Sequence, residues 1–343
     1  MGATRKLRAV QVGCGGRAQA HITCMQSCGA VDLLALCDLD EEKLKEAGKK
    51  YSIPKLYHSM EEMIQKEKPE LVDIVTPPTI RASIVEPAIK AGAPAILIEK
   101  PIALKPSEAR RLVELGQDRL IAVNTQYQWF PHWQRFWPML REHALGDIQR
   151  ICCGTMTNIL EQGPHVLDLA LKAARLSGLP DPEWVLASCS GIERFGSIPV
   201  PADTSATIGL GDARMHFNQG PSAHPVPGEK VYWLHNIVDI TGTKGRLCVT
   251  LNQGWKLWLE GKFESGHTGW PKNDIEAQSA MFVQLRDTLH GGNWREFPTR
   301  VQISAQISDV MFGCYASALG GGRIKLPAEF SDSIIDRLET LPK

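Results

Sequence analysis

The first third of the chain alternates short, largely β-branched and apolar runs with longer amphipathic stretches. The apolar runs predict strands at residues 7–12, 31–37, 71–75, 95–98 and 120–123, and the stretches between them predict helices at residues 17–28, 40–51, 59–66, 79–91 and 106–115. Ser59 or Ser107 is expected to cap its helix, and Gly92 stands where a helix should end. This alternation predicts repeated βαβ units in a doubly wound parallel sheet, a Rossmann domain.

Beyond Asn124 the pattern changes to neighbouring strand-like segments, which predict an α+β domain with a largely antiparallel open sheet. Strands are predicted at residues 184–192, 204–210, 213–217, 231–241, 246–251 and 256–260, with turns at 211–212 and 242–245. Helices are predicted at 164–176, 275–290 and 301–319, and Pro- and Gly-rich loops at 219–230 and 261–272. Long loops of this kind connect elements at the surface or roof a site.

The chain length also favours two domains. With 343 residues it exceeds the usual size of one core, so we expect residues 1–123 to form the first domain and residues 124–343 the second. Lys plus Arg balances Asp plus Glu at 38 each, which argues against nucleic acid or an anionic membrane as a partner. No export signal or membrane-spanning run is evident.

The nine cysteines are scattered, and none forms a CxxC pair. This distribution favours small buried thiols in a reducing, cytoplasmic compartment over a disulfide framework. It also gives no zinc-binding spacing, so no metal site is predicted.

The sequence VGCGGRAQAH follows the first predicted strand and opens the first helix. Gly13 and Gly15 supply the first two glycines of a GxGxxG/A pattern, and Ala18 fills the third position. The first glycine permits a tight turn, the second lets a pyrophosphate approach the backbone, and the small third residue lets the helix pack on the strand. Because glycine-rich turns are common, a purely structural turn is the alternative.

Asp38 follows the second predicted strand, where a carboxylate can accept hydrogen bonds from an adenosine ribose diol. It would repel a 2′-phosphate, so NAD is favoured over NADP. The alternative is a surface or capping carboxylate, since Asp40 lies nearby and starts the next helix. Arg17 complicates the prediction, because a cation beside the phosphates also suits NADP.

Lys100 emerges from the fifth predicted strand within the sequence Glu99-Lys100-Pro101. Ligands of open α/β sheets bind at the carboxyl ends of strands, so Lys100 is expected where nicotinamide and substrate meet. An ammonium there can donate to a substrate oxygen and stabilise negative charge. On the residues alone, a surface charge is equally acceptable.

Together these motifs resemble the family of glucose-fructose oxidoreductase, inositol dehydrogenase and MocA over nearly the whole chain. The resemblance rests on VGCGGRAQAH, LLALCD, VDIVTPP at 72–78, IEKP at 98–101, GPHVLD at 163–168, ITGTKG at 240–245 and a final helix leading to LP. It implies a two-domain dehydrogenase of sugars, sugar derivatives and cyclitols, which forms dimers or tetramers through its open sheet.

The resemblance also implies roles for individual residues. Lys100 matches the catalytic lysine and His165 the catalytic histidine, while Glu161 stands where many members have Asp, in a position to orient His165. An imidazole titrates near neutrality and can accept the alcohol proton; a structural histidine at a helix start is the alternative. We expect the cofactor to contact Gly13, Cys14, Gly15, Gly16, Arg17, Ala18, Asp38, Thr76, Pro77, Glu99 and Lys100. We expect the substrate to contact Lys100, Gln128, Glu161, His165 and Asp168, with Lys100 and His165 gripping it from either side of an interdomain cleft.

Two positions depart from the family pattern. Arg81 stands where His often follows TPP, and Gln128 stands where many members have Arg. Trp129, Trp133 and Trp270 are candidate stacking walls for a sugar ring, although aromatic residues at such spacing usually belong to a core.

Three functions are compatible with the sequence. The leading one is NAD-dependent oxidation of a secondary alcohol on a small polyhydroxylated substrate. The second is a redox-neutral glycosidase or lyase that oxidises its sugar transiently with bound NAD. The third, a nonenzymatic sensor, is disfavoured because both Lys100 and His165 are present.

Overall fold

The structure is a computed structural model, which describes residues 5–267 and 269–341. The chain forms two compact units. The first contains the residues up to Leu104, Glu108–Trp129 and Ile275–Ala305, and the second contains Lys105–Ser107, Phe130–Asp274 and the residues from Gln306 onward. Across the described residues, no helix has both the length and the apolar character needed to cross a bilayer.

The first unit is built on a sheet of six parallel strands. These are β1 (Leu7–Val12), β2 (Val31–Cys37), β3 (Leu56–Tyr57), β4 (Leu71–Ile74), β5 (Ile96–Glu99) and β6 (Ile121–Asn124). Their order, β3-β2-β1-β4-β5-β6, is that of a doubly wound sheet whose central strands are buried on both faces. The predicted Rossmann fold is confirmed, and the two-residue strand β3 is an addition to it.

Five helices follow the strands of this unit in turn: α1 (Gly16–Ser27), α2 (Glu41–Tyr51), α3 (Met60–Glu67), α4 (Pro78–Lys90) and α5 (Pro106–Leu115). Ser59 caps α3 as predicted, since its side chain accepts the Glu62 N–H at 3.1 Å. Gly92, at φ +108°, follows the end of α4. The prediction that Ser107 caps a helix is wrong: Ser107 lies inside α5, and its N–H and hydroxyl both donate to Asp332.

The second unit is built on a nine-stranded sheet. Its strands are β7 (Ile148–Thr155), β8 (Trp184–Phe195), β9 (Ile198–Leu210), β10 (Ala213–Gln219), β11 (Asn236–Gly242), β12 (Gly245–Thr250), β13 (Trp255–Leu259), β14 (Lys262–Gly266) and β15 (Ile324–Lys325). Their order is β14-β13-β12-β11-β7-β10-β9-β8-β15, and each neighbouring pair is antiparallel except β7 and β10. The largely antiparallel prediction is therefore confirmed.

Two predictions for this unit need correction. The predicted loop at 261–272 contains β14, which pairs with β13, and the predicted strand at 231–241 begins only at Asn236. Before it, Tyr232–Leu234 form a 3₁₀ turn. The remaining helices are α6 (Pro131–Arg141), α7 (Gly163–Leu176), α8 (Lys272–Leu289), α9 (Val301–Gly320) and α10 (Ser333–Arg337), of which α6 was not predicted.

Most of α8 and the segment up to Ala305 belong to the first unit. Phe282 of α8 packs edge-on against His21, with ring centroids 6.1 Å apart. The Val123 N–H donates to the Thr299 carbonyl at 2.8 Å, so this returning chain lies along β6. A boundary placed after residue 123 does not account for this return.

Candidate functional site

The turn between β1 and α1 requires glycine at its first position. Gly13 has φ +100°, and a Cβ added there would lie 2.2 Å from the Val75 carbonyl oxygen. Because that oxygen is backbone, a side chain could be admitted only by moving the end of β4. The tight turn expected of Gly13 is therefore present.

Gly15 is not required by the backbone conformation: it has an extended backbone with φ −68°, and an added Cβ would meet nothing within 4 Å. It stands at the N-terminus of α1, where no side chain caps the helix and the first turn contains no acidic residue. The N–H groups of the first turn have no partners within the helix, and the helix dipole favours an anion there. The uncapped N-terminus of α1, with free space beside Gly15, can therefore accommodate a pyrophosphate.

Gln11 holds this turn from below and was missed in the sequence analysis. Its fully buried side-chain amide donates to the carbonyl oxygens of Gly13 at 2.9 Å and Ala18 at 3.2 Å. Ala18 is itself buried, as expected for the small residue at the helix–strand contact. A polar residue in the middle of an apolar strand was the available sequence signal.

Asp38 lies directly after β2 and is joined to the glycine turn. One carboxylate oxygen accepts the Cys14 N–H at 2.7 Å, and the other accepts the Asp40 N–H at 2.9 Å. Asp40 is the residue that caps α2, since its side chain accepts two N–H groups of the first turn. Leu39, which sequence reasoning also missed, is 87% exposed next to this carboxylate.

The Arg17 side chain is hydrogen-bonded to two residues of the first unit. Its Nε donates to Glu99 at 2.8 Å, and one terminal nitrogen donates to Gln278 of α8 at 3.0 Å. The guanidinium thus points toward the end of β5, where Glu99 lies.

Lys100 follows the last residue of β5 and is half-buried, as its predicted place at the carboxyl edge of the sheet requires. Its N–H donates to Glu99 Oε2 at 3.0 Å. The charges of Arg17, His21 and Lys100 outweigh burial and hold the pKa of Glu99 well below its usual value. Glu99 is only 5% exposed, so it lies beneath Lys100 as a buried anion.

Arg81 ties together the loops that follow β4 and β5. It is 1% exposed, and its guanidinium donates to the carbonyl oxygens of Thr76, at 2.8 Å, and Pro101. Burial lowers the pKa of Arg81 to about 10, although the charge of Glu99 acts to raise it. Pro77 precedes α4 and is exposed. The unusual arginine at this position therefore braces the segment that carries Lys100.

In the second unit, His165 and Asp168 occupy the first turns of α7, and each is 3% exposed. Pro164 stands in the first turn of this helix, where a missing N–H costs nothing. Helix α7 packs against β7, β11 and α6, which fixes the direction of its N-terminus.

Glu161 precedes α7 and is half-buried, with its N–H bonded to the Asn158 side chain at 2.9 Å. Partial burial and the charge of Glu161 together raise the pKa of Glu193 on β8. Both carboxylates also act, after burial, to raise the pKa of Tyr232. Glu193 and Tyr232 therefore stand near Glu161, and nothing in the sequence pattern indicated this.

The tryptophans divide between core and surface. Trp129 and Trp133 are 6% and 1% exposed and pack against Phe297 and Trp137 respectively, which is the core packing that the sequence left open as the alternative. Trp270 is half-buried and packs edge-on against Trp233, with centroids 4.9 Å apart. The Trp270 N–H donates to the Asn252 side chain at 2.9 Å.

Glu229 organises the loop beside this aromatic pair. It accepts the N–H groups of Lys230 and Val231 and the side-chain amides of Asn252 and Gln253, at distances of 2.8–3.1 Å. Burial acts to raise its pKa, but these hydrogen bonds lower the pKa of Glu229 to about 2. The loop that was expected to roof a site is thus a hydrogen-bonded structure.

Gln128, the second departure from the family pattern, is 1% exposed within the 3₁₀ turn Gln126–Trp129 of the first unit. Among the described residues, no group of three or more His, Cys, Asp or Glu side chains is arranged to hold a metal ion. The nine cysteines are all free thiols.

Comparison with known proteins relates the first third of the chain to a known family. Residues 7–125 match the family model described as an oxidoreductase family with an NAD-binding Rossmann fold, named for Gfo, Idh and MocA. Over these residues the chain is similar to the Gfo/Idh/MocA family. The matched residues span β1 to β6 and so include the glycine turn, Asp38 and Lys100.

Two curated proteins are similar to this chain over less than two thirds of their own length. D-apiose dehydrogenase from Paraburkholderia graminis is 31% identical over 144 residues, which cover 41% of this chain and 38% of the relative. Trans-1,2-dihydrobenzene-1,2-diol dehydrogenase from Bos taurus is 30% identical over 229 residues, covering 62% of this chain and 64% of the relative.

The fold is shared over a longer span. The crystal structure of an oxidoreductase from Agrobacterium radiobacter in complex with NAD⁺, L-tartaric acid and magnesium superimposes with a TM-score of 0.79. It is 19% identical and covers 94% of this chain and 98% of its own. Both units of this chain therefore have the architecture of that structure.

Proposed function

We propose that this protein is an NAD-dependent dehydrogenase that oxidises a secondary alcohol of a small polyhydroxylated molecule, such as a sugar, sugar derivative or cyclitol. One observation carries the proposal: the glycine turn, Asp38 and Lys100 all lie at the carboxyl edge of one parallel sheet. That edge is where open α/β sheets bind their ligands.

The first unit offers a matching set of groups for NAD. The uncapped start of α1 suits the pyrophosphate, and Asp38 suits the adenosine ribose diol. Leu39, exposed beside Asp38, offers an apolar surface for the adenine. Because Arg17 already donates to Glu99 and Gln278, its charge is directed away from a 2′-phosphate, which favours NAD over NADP.

Bound NAD would supply the hydride acceptor. The protein would accept the hydroxyl proton and stabilise the negative charge on the reacting oxygen. We assign to Lys100 the donation of a hydrogen bond to the reacting oxygen, which stabilises negative charge there. We assign to His165 the acceptance of the hydroxyl proton, and to Glu161 the orientation of that imidazole. Asp168 and Gln128 remain proposed substrate contacts.

The relatives support this substrate class. D-apiose and trans-1,2-dihydrobenzene-1,2-diol, after which the two relatives are named, both carry adjacent hydroxyl groups, as does the L-tartaric acid held by the structural neighbour. A molecule with two adjacent hydroxyls is therefore the first class to test. The free cysteines are compatible with the predicted cytoplasmic location, and a dimer or tetramer remains a proposal from the family resemblance.

The test has two parts. Calorimetric titration with NAD and NADP should give tighter binding of NAD, and a panel of sugars, cyclitols and diols should then be screened for NADH absorbance. Release of an aglycone should be measured in parallel, because aglycone without net NADH would indicate redox-neutral glycosidase or lyase chemistry. Failure to bind either dinucleotide would overturn the proposal.

A further inference from the structure

A buried histidine links three elements of the first unit beneath Lys100. His21 of α1 is fully buried, with Nδ1 2.8 Å from Asp73 Oδ2 on β4 and Nε2 2.9 Å from Glu99 Oε1 on β5. The strand register places both carboxylates on the same face of the sheet, the one that α1 covers: Asp73 pairs with Leu97, and Glu99 lies two residues further along β5.

The geometry favours a protonated ring. Each ring nitrogen lies within hydrogen-bonding distance of a carboxylate oxygen, whereas a neutral imidazole has one N–H and would direct its lone pair at the other carboxylate. Asp73 is 0% exposed, and His21 is the hydrogen-bonding partner that the described contacts give its side chain. A buried carboxylate is costly unless a charge and hydrogen bonds compensate it.

The competing arrangement is a neutral ring. Asn124 Nδ2 of β6 lies 2.8 Å from His21 Nε2 and 2.7 Å from Glu99 Oε1, so a neutral Nε2 would accept from the amide. That arrangement places the Nε2 lone pair against the Glu99 carboxylate. It also removes from Asp73 and Glu99 the positive charge that a protonated ring would place between them.

The other groups around His21 do not alter this balance. Phe282 of α8 faces the ring edge-on, Gln278 of α8 bonds Arg17, and Arg81 of α4 acts on Glu99 through its charge. Burial acts to lower the pKa of His21, but the charges and hydrogen bonds of Asp73 and Glu99 outweigh burial and raise it.

We propose that His21 is a positioning residue, which bridges Asp73 and Glu99 as an imidazolium and holds the Glu99 carboxylate in place under Lys100. Glu99 Oε1 accepts hydrogen bonds from the side chains of His21, Arg17 and Asn124. Its other oxygen, Oε2, accepts the Lys100 N–H. The peptide that carries Lys100 is thereby bonded to the sheet on one side. On its other side, Arg81 holds the Pro101 carbonyl.

The consequence for function rests on the proposed role of Lys100. A hydrogen bond to a reacting oxygen depends on placement to a fraction of an ångström. Loss of His21 should therefore lower kcat more than it raises KM, because it displaces the donor without removing a substrate contact.

The charge of His21 can be measured without substrate. Nitrogen-15 NMR of the histidine-labelled full chain should show both ring nitrogens of His21 protonated at pH 7.5. His132 is an internal reference, because burial lowers its pKa to about 4 and it should be neutral at the same pH. A neutral His21 ring at pH 7.5 would overturn the proposal.

The coupling to Lys100 is tested by acylation with acetic anhydride, read by mass spectrometry with and without NAD. In His21→Gln the rate of Lys100 acylation at constant pH should change at least about threefold, whereas the exposed His58→Gln control should leave it unchanged. An unchanged rate in a folded His21→Gln protein, together with an unchanged kcat, would contradict the positioning role.

Asp73→Asn covers the case in which His21→Gln does not fold. It keeps a hydrogen-bond acceptor for Nδ1 but removes one charge, so the ring should lose its proton within the accessible pH range. Lys100 acylation should then change in parallel with the ring titration, and independence of the two would refute the proposal. Because NMR and acylation need no substrate, they decide the role of His21 even if no polyol reduces NAD.

Discussion

Replacing Gly13 and Gly15 separately by Ala should distinguish a glycine needed for folding from a glycine needed for the cofactor. In Gly13→Ala the side chain must occupy φ +100° and approach the Val75 carbonyl oxygen to 2.2 Å. The conformational cost is about 1–2 kcal/mol, and overpacking against backbone adds about 1–3 kcal/mol. Together the substitution should destabilise the protein by about 2–5 kcal/mol.

Gly15→Ala should behave in the opposite way. Its backbone is accessible to alanine and the added methyl group meets no protein atom within 4 Å, so stability should stay within about 0.5 kcal/mol of wild type. The methyl group would project from the surface proposed to receive the pyrophosphate, so the Kd for NAD should rise at least about tenfold, or 1.4 kcal/mol.

Thermal unfolding and calorimetric NAD titration measure the two effects. At roughly 2–4 °C per kcal/mol, Gly13→Ala should lower Tm by at least about 4 °C. Gly291→Ala, at an open glycine elsewhere in the first unit, is the control for both measurements. Normal NAD affinity in Gly15→Ala would refute the pyrophosphate assignment, and wild-type stability in Gly13→Ala would refute the steric reasoning.

Four further predictions follow from the contacts. Asp38→Ala should reduce the preference for NAD over NADP at least about tenfold. Asp40→Ala should lower the free energy of unfolding by about 1 kcal/mol and leave the cofactor preference unchanged. If titration with the two cofactors instead shows the loss of preference in Asp40→Ala, the roles assigned to the two carboxylates are exchanged. Arg81→Met should lower the free energy of urea unfolding by about 2 kcal/mol or more, because two carbonyl groups lose their buried donor, and a neutral effect would show that they find other partners. Glu229 has a lowered pKa, so its stabilisation is present above the unfolded value of 4.5 and is lost as pH falls toward about 2; limited proteolysis of its loop should increase over that range in wild type and be insensitive to it in Glu229→Gln. His21 has a raised pKa, so its stabilisation is complete below the unfolded value of 6.5 and is lost as pH rises through the folded value; wild type should lose stability there relative to His21→Gln, and parallel pH profiles would count against it.

The sequence predicted the first unit well because its strands are short, apolar and bounded by turn residues. The bounds of β1 and β2 were predicted without error, and α5 was predicted because Pro106 marks its start. The strand β3 has only two residues, which is too short for a period to appear. Helix α6 was missed because Pro138 interrupts its pattern, although tertiary packing keeps the helix intact.

The candidate site was predictable only where topology alone determines position. Lys100 could be placed because the end of a parallel strand is also the edge of the sheet. The partners of His21 could not be predicted, since Asp73 and Glu99 come from different strands and meet only through the sheet register. Burial of Trp133 agrees with the general tendency of aromatic residues at this spacing to belong to a core, although the spacing alone also suits a binding surface.

The return of the chain along β6 has a consequence for how the protein is made. The first unit includes Ile275–Ala305, so its last pieces leave the ribosome after most of the second unit has been synthesised. Until then, His21 of α1 lacks its contact with Phe282, and Arg17 lacks its hydrogen bond to Gln278. A fragment that stops at residue 123 would keep every motif of the dinucleotide fold and still be incompletely packed, so nascent chains of this length are where we expect assistance from chaperones to matter most.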